Sequence, residues 1–261
     1  MKNCFLCTLI SVSLTVSFAK ADGHETFTGG LDPNAPINVQ AQVCTLKPGK
    51  TQAQYDRLVN KYFEWAKKYD VETTFVRQIP FLTHANPNNP NNYDFIEFLV
   101  SDFETSGKAW DLWMSTSDGQ KLNEEWLSLA SCDIKMAALN MQWAKVDELN
   151  SDDERIVVWN WCSKKEGVSS EQLIAKHDSI AEEYSDGLGN IGWATFHPII
   201  GGANAPGNFA HIVVYPDMKG LMEHQEWFAG GGWKARSDYH IYAECRGDEA
   251  FVETIMNRPG S

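Results

Sequence analysis

Residues 42–54 read QVCTLKPGKTQAQ, and residues 160–172 read NWCSKKEGVSSEQ. In each stretch a cysteine closes an alternating run and a glycine follows. A hydroxyl residue and a glutamine then stand three apart, Thr51 and Gln54 or Ser169 and Gln172. At an offset of 118, Cys162 falls on Cys44, Gly167 on Gly49 and Pro198 on Pro80, and Ala203-Asn204 on Ala85-Asn86. Short insertions then shift the register, so that Asn208 meets Asn92, Trp227 meets Trp113 and Cys245 meets Cys132. Matches kept in order over most of each half indicate a duplication. With only two units, each the length of a small domain, it is not a solenoid.

Both units follow one plan. An alternating strand comes first, with Val39, Ala41 and Val43 or Val157, Trp159 and Trp161 on one face. A glycine turn leads to a helix whose Thr-x-x-Gln or Ser-x-x-Gln start is a capping box. Its apolar stripe is Tyr55, Leu58, Val59 and Tyr62, or Leu173, His177, Ile180 and Tyr184. A second strand ends at Pro80 or Pro198, and a Gly/Asn/Pro-rich loop follows. Next come a third strand (93–100 or 209–215), helical segments (103–114 or 218–228) and a last strand after the final cysteine (136–143 or 249–255). The order βαββαβ, twice, is the split-βαβ or ferredoxin-like arrangement, so the fold class is α+β.

The N-terminus carries Lys2, an apolar run over 5–18 and Ala19-Lys20-Ala21, the order of a secretory leader cut after Ala21. The run is short of the ~20 residues a membrane span needs. The expected organisation is a leader over 1–21, an extension over 22–36, repeats over 37–145 and 155–261, and a solvated acidic linker over 146–154. The net charge of −13 becomes −15 once Lys2 and Lys20 are gone. Such a surface repels nucleic acid and anionic membranes, so neither is an expected partner. Cleavage leaves Cys44, Cys132, Cys162 and Cys245, and a secreted or periplasmic chain with four cysteines suggests two disulfides, with three pairings open by count. The split-βαβ order chooses among them. Its first and last strands are antiparallel neighbours, which predicts Cys44–Cys132 and Cys162–Cys245.

Two such units in tandem resemble the dimeric α/β-barrel superfamily, over about residues 37–145 and 155–257. The resemblance implies two sheets closing a barrel, here within one chain, which is a monomer or a homodimer. The superfamily includes antibiotic-biosynthesis-type monooxygenases, haem-degrading monooxygenases, stress-responsive barrels and members with no assigned activity. Its haem-degrading members place an asparagine near the end of the first strand, a tryptophan on the second helix and an iron-ligating histidine about ten positions on. Here Asn160, Trp227 and His240 match, with a Gly230–Gly232 insert before the histidine. In the first copy Gln42 replaces the asparagine and Trp126 stands near the histidine's place.

Five of the seven histidines lie in the second copy: His177, His197, His211, His224 and His240. The repeat pairs His177 with Val59, His197 with Ile79 and His211 with Phe95, so three apolar positions become imidazoles. His177 and His211 are expected to share a pocket between helix and sheet, where imidazole suits acid–base work. Together with Asn160 and His240 they are the candidate catalytic residues. Trp113, Trp193, Trp227, His197, Asn86 and Asn204 are the candidate ligand contacts, since tryptophans wall flat apolar ligands well. Each of these also has a plain structural reading as core or loop. Past the expected leader, which carries Cys4 and Cys7 away, the sequence has no H-x-H, H-E-x-x-H or C-x-x-C, so no metal site is expected. The FAGGGW stretch at 228–233 reads as a bend between helices. The reading of function is a secreted α/β-barrel protein that binds a small apolar or aromatic molecule, with monooxygenase-like chemistry and no built-in cofactor. The alternatives are a haem-binding or haem-degrading enzyme and a non-catalytic interaction domain.

Overall fold

In each half the first strand carries a buried alternating face, and the chain lays its helices on the opposite face. A computed structural model describes residues 26–85, 88, 91–184 and 188–259. The expected leader and Asn86 lie outside these residues. The first half comprises β1 (Ile37–Leu46), α1 (Gln52–Lys68), β2 (Thr74–Leu82), β3 (Phe95–Ser101), α2 (Phe103–Ser115), α3 (Ser117–Leu129) and β4 (Ala130–Ala144). After α4 (Val146–Ser151) the second half repeats it with β5 (Glu154–Lys164), α5 (Ser170–Tyr184), β6 (Gly192–Ile200), β7 (Phe209–Tyr215), α6 (Met218–Trp227), α7 (Trp233–Tyr239) and β8 (Ala243–Asn257). Both capping boxes form: Thr51 and Gln54 bond each other's backbone N–H, as do Ser169 and Gln172.

All eight strands join one closed antiparallel barrel in the order β1-β3-β2-β8-β5-β7-β6-β4. β4 and β8, at 15 residues each, are long enough to pair on both edges. β4 pairs with β1 and β6, and β8 with β5 and β2, so each half supplies the other's missing neighbour. Closure removes the open edges that would template aggregation. Cys44 lies opposite Cys132 and Cys162 opposite Cys245, and both pairs are disulfide-bonded. The loops closed span 88 and 83 positions, so each bond contributes ~4 kcal/mol on the loop-entropy model.

The strand period of two divides the core in two layers. Inside the barrel lie Val39, Val76, Phe98, Val157, Trp159, Phe196 and Ile212. On the outer face of the first half, Tyr55, Tyr62, Trp65 and Trp126 make one continuous cluster with Phe75 and Phe95. In the second half the outer layer is two separate clusters, one around Leu173, Phe209 and Tyr239, the other around Ile156, Tyr215 and Leu221.

Three expectations need correction. The stretch 146–154 is not simply a solvated linker: it contains α4, whose Val146 and Leu149 are buried on one face while its acids point outward. The last strands begin at Ala130 and Ala243, before the cysteines rather than after them, because β1 and β5 run on past Cys44 and Cys162 and their final residues pair with Ser131 and Ala130 and with Glu244 and Ala243. The counterpart of His211 is Glu97, not Phe95. Gln42 lies opposite Glu97 as Asn160 lies opposite His211, while Phe95 and Phe209 face the cysteines.

Candidate functional site

The gap between the two outer clusters of the second half is a cavity of about 200 Å³ between the helices and the sheet. β5 supplies Val158 and Asn160, β6 Trp193, and β7 His211 and Val213. Helices α5–α7 supply Ile180, Tyr184, His224, Trp227, Arg236 and Tyr239, and His240 and Asp248 complete the wall. Alternation puts Trp193 and His211 on the outward face of their strands, while Ala194 and Ile212 turn into the barrel.

A hydrogen-bonded chain forms the floor. Trp193 Nε1 donates to His211 Nδ1 at 3.0 Å, and Tyr239 Oη lies 2.9 Å from His211 Nε2 and 2.8 Å from His177 Nε2. An indole only donates, so Nδ1 of His211 accepts and its Nε2 carries the proton. His211 therefore donates to Tyr239, and the phenol donates to His177. Every group in this chain is neutral. Burial, reinforced by neighbouring His177, His197 and Arg236, pulls His211 down to about 3. Burial, then His197, pulls His177 down to about 4, and burial raises the Tyr239 phenol.

Polar groups also line the rim. Both ends of the Asn160 amide are bonded: its Nδ2 donates to Asp248 Oδ1 at 2.7 Å, and its Oδ1 accepts from Gly247 N at 3.2 Å. Arg236 donates to the other Asp248 oxygen at 2.5 Å and stacks its guanidinium over Phe228. His224 is held through Nδ1 by the Tyr215 hydroxyl at 2.7 Å and packs edge-on to Trp227. Burial lowers its pKa. Residues 228–232 form a π-turn with Gly231 at φ 131°. A Cβ on Gly232 would come within 2.5 Å of the Trp227 ring, so glycine lets the turn lie against that wall.

Of the residues singled out in the sequence, Asn160, Trp193, His211, Trp227 and His240 line this cavity, and His177 reaches it through Tyr239. His197 faces the same outer layer but bonds Thr195 and stacks on Phe209. Asn204 lies exposed on a 3-10 turn away from the cavity. Trp113 belongs to the first half, where it packs between Trp65 and Trp126. Sequence reasoning missed Tyr239, Arg236 and Asp248, and it did not place His224 in the site. The short α7 shows too little periodicity to be read. Cys162, Cys245 and His211 have donor atoms within 4.8 Å of one another, but both sulfurs are tied in a disulfide and both His211 nitrogens are bonded.

No protein-family profile and no curated protein matches the chain. Among solved structures it is similar to a candidate chlorite dismutase, with a TM-score of 0.51 at 14% identity, covering 85% of this chain and 96% of that one. It is also similar to a candidate monooxygenase from Fusobacterium nucleatum, with a TM-score of 0.50 at 11% identity, covering 87% and 95%. These likenesses, with the eight-stranded ring, define the class: the dimeric α/β-barrel fold, formed here by two ferredoxin-like units in one polypeptide.

Proposed function

We propose that this chain is an extracytoplasmic small-molecule-binding barrel protein whose second half encloses an apolar or aromatic ligand and turns it over by monooxygenase-like chemistry without a resident cofactor. The observation that carries the reading is the asymmetry of the halves. The matching space in the first half is about 100 Å³ and is crowded by Trp65, Trp113 and Trp126, whereas the second half keeps about 200 Å³. That is below the ~300–1,000 Å³ of a drug-sized site, so it suits a molecule of one or two rings. Trp193 and Trp227 would flank the rings. Two lining imidazoles, His224 and His240, have a nitrogen that bonds no other described residue; His240 is exposed at the helix end, whereas His224 is half-buried and, with its Nδ1–H given to the Tyr215 oxygen, turns Nε2 to the space. Neutral by burial, it would take an acidic proton from the ligand, and Arg236 would steady the anion. Dioxygen would then accept the ligand's electrons, a CH₂ and O₂ giving C=O and water. Two disulfides and an N-terminal secretory pattern support export. Among the described residues no helix is long and apolar enough to cross a membrane.

The test is titration with 2-tetralone, a two-ring molecule with an acidic CH₂, followed by tryptophan fluorescence and oxygen uptake. Saturable quenching, weakened at least tenfold in Trp227→Ala, is expected, with oxygen uptake lost in His224→Ala. Unchanged quenching in Trp227→Ala overturns the site.

The second reading is haem. The donor set fits an iron ligand, because Tyr215 anchors His224 Nδ1 and leaves Nε2 to coordinate, the second-sphere pattern of ligating histidines. His224, rather than His240 at the helix end, is the residue that would hold it, and bound haem would supply oxidant activation at iron. The space would have to widen for a porphyrin. A Soret band on haem titration, shifted in His224→Ala and not in His240→Ala, favours this reading. Absence of the band removes it.

A further inference from the structure

The barrel lumen is a second cavity, separate from the one above. It measures about 170 Å³, and all eight strands contribute to it. Its walls are apolar: Val39, Val76, Phe98, Phe196 and Ile212 among them. An apolar cavity of ~150 Å³ is large enough to hold benzene. One mouth is covered by Phe27, Thr28 and Leu31, with Thr28 bonded through N and Oγ1 to Asn150 Oδ1 on α4.

Of the polar residues that line this space, Gln78 on β2, Glu253 on β8 and Arg155 on β5 stand directly opposite one another in the ladder. Trp159 Nε1 donates to Gln78 Oε1 at 2.9 Å, and Gln78 Nε2 donates to Glu253 Oε2 at 2.6 Å. The row then breaks. Arg155 Nε is buried without a hydrogen-bond partner and stands 3.8 Å from Glu253 Oε1, too far for a direct bond. Arg155 is held in place by its NH2, which donates to the Leu149 and Asp152 carbonyls. A buried donor left unmade is costly, and such a group calls for a partner. An oxygen that accepts from Arg155 and donates to Glu253 can lie at normal distance from both, since their separation is less than two hydrogen-bond lengths. A hydroxyl has both capacities, whereas a carboxylate or a ketone cannot donate.

We propose that the barrel lumen is a binding site for a single-ring hydroxylated molecule, a simple phenol, whose hydroxyl bridges Arg155 and Glu253 while its ring lies among Val76, Phe98, Trp159 and Phe196. The site is independent of the second-half cavity and stands whatever that cavity holds.

The experiment is calorimetric titration of the whole chain with phenol and with toluene, which matches its shape but lacks the hydroxyl. Phenol is expected to bind saturably and ~10–100-fold more tightly than toluene, the worth of hydrogen bonds to charged groups. Two variants that fill the lumen, Ala194→Leu and Val214→Phe, are expected to lower phenol affinity at least tenfold. Trp227→Ala, in the other cavity, is expected to leave it within twofold. Circular dichroism checks that each variant folds, and the milder Ala194→Leu retains the test if Val214→Phe does not fold. Equal affinity for phenol and toluene overturns the proposal, because the Arg155–Glu253 gap then holds only water. So does a phenol isotherm that keeps its full stoichiometry after lumen filling, or one that disappears in Trp227→Ala, since the ligand then sits elsewhere.

Discussion

The two halves place different chemistry at the same point of the same ladder. Opposite Gln42, the first half has Glu97; opposite Asn160, the second has His211. Around Glu97, which is 0% exposed, the first half assembles ions: Arg77 donates to its Oε1 through Nε and NH2, and Tyr55 donates to its Oε2. Arg77 also reaches Asp56 at 2.6 Å. Around His211 the second half assembles neutral groups, Trp193, Tyr239 and His177. Trp126 of α3 packs edge-on against Tyr55, the phenol that donates to Glu97. A neutral network tolerates an adjoining space. The comparison teaches that two copies of one unit bury opposite chemistry at the same position, and that the larger of their two spaces, about 200 against about 100 Å³, adjoins the neutral network.

The largest effect expected from breaking this contrast is at Arg77. Arg77→Leu strands a buried carboxylate and should lower stability by ~3–5 kcal/mol. Urea denaturation would measure it, and a loss below 1 kcal/mol would mean that Glu97 is already protonated. Next is Tyr239→Phe, which leaves His211 Nε2–H without its acceptor and His177 Nε2 without its donor. A loss of ~1–3 kcal/mol is expected in the same assay. Should Tyr239→Phe cost as much as Arg77→Leu, the contrast between ionic and neutral cores fails.

Acid sharpens the comparison. His177 and His211 sit at about 4 and about 3, against an ordinary 6.5, so in that window the unfolded chain binds more protons than the folded one. Their contribution is complete above 6.5 and is lost as pH falls toward 4. Burial pushes Glu97 the other way, up to about 7 from 4.5, although Arg77 and Tyr55 pull it down. Between 4.5 and 7 the folded chain holds the extra proton there, so this contribution falls as pH rises. Melting temperature should therefore drop below pH 6.5, more steeply in Glu97→Gln and less steeply in His177→Phe. Identical profiles in the two variants would remove the opposition. The smallest effect is at the shared element. Thr51→Ala and Ser169→Ala should each cost ~1 kcal/mol, equally, because the two capping boxes are alike.

Much of the fold was legible because it rests on local, periodic rules. The Thr51 and Ser169 boxes, the alternation of Val157, Trp159 and Trp161, and the strand-end cysteines each follow from short-range chemistry. Asn160, His211 and Trp227 line one cavity, but they were singled out on different grounds, Asn160 and Trp227 by the family resemblance and His211 as an imidazole peculiar to the second copy. What was not legible depended on register. An insertion before β3 shifted the alignment by two residues, which hid Glu97 behind Phe95 and with it the ionic core of the first half. Tyr239 and Asp248 join the site only through tertiary packing, from a seven-residue helix and a polar stretch of β8. The barrel lumen was invisible for the same reason: Gln78, Glu253 and Arg155 come from three distant segments.

The shared long strands have a consequence for synthesis. β2 meets β8 across residue pairs such as Gln78 and Glu253, which are 175 positions apart. A ribosome delivers the first copy complete with its own disulfide cysteines, yet with β2 and β4 each lacking a neighbour. Until the second copy emerges, two open strand edges face the surrounding medium, and contacts this far apart in sequence form slowly. The nascent chain is thus most prone to aggregate when it is half made, and the ring closes only when its last strand arrives.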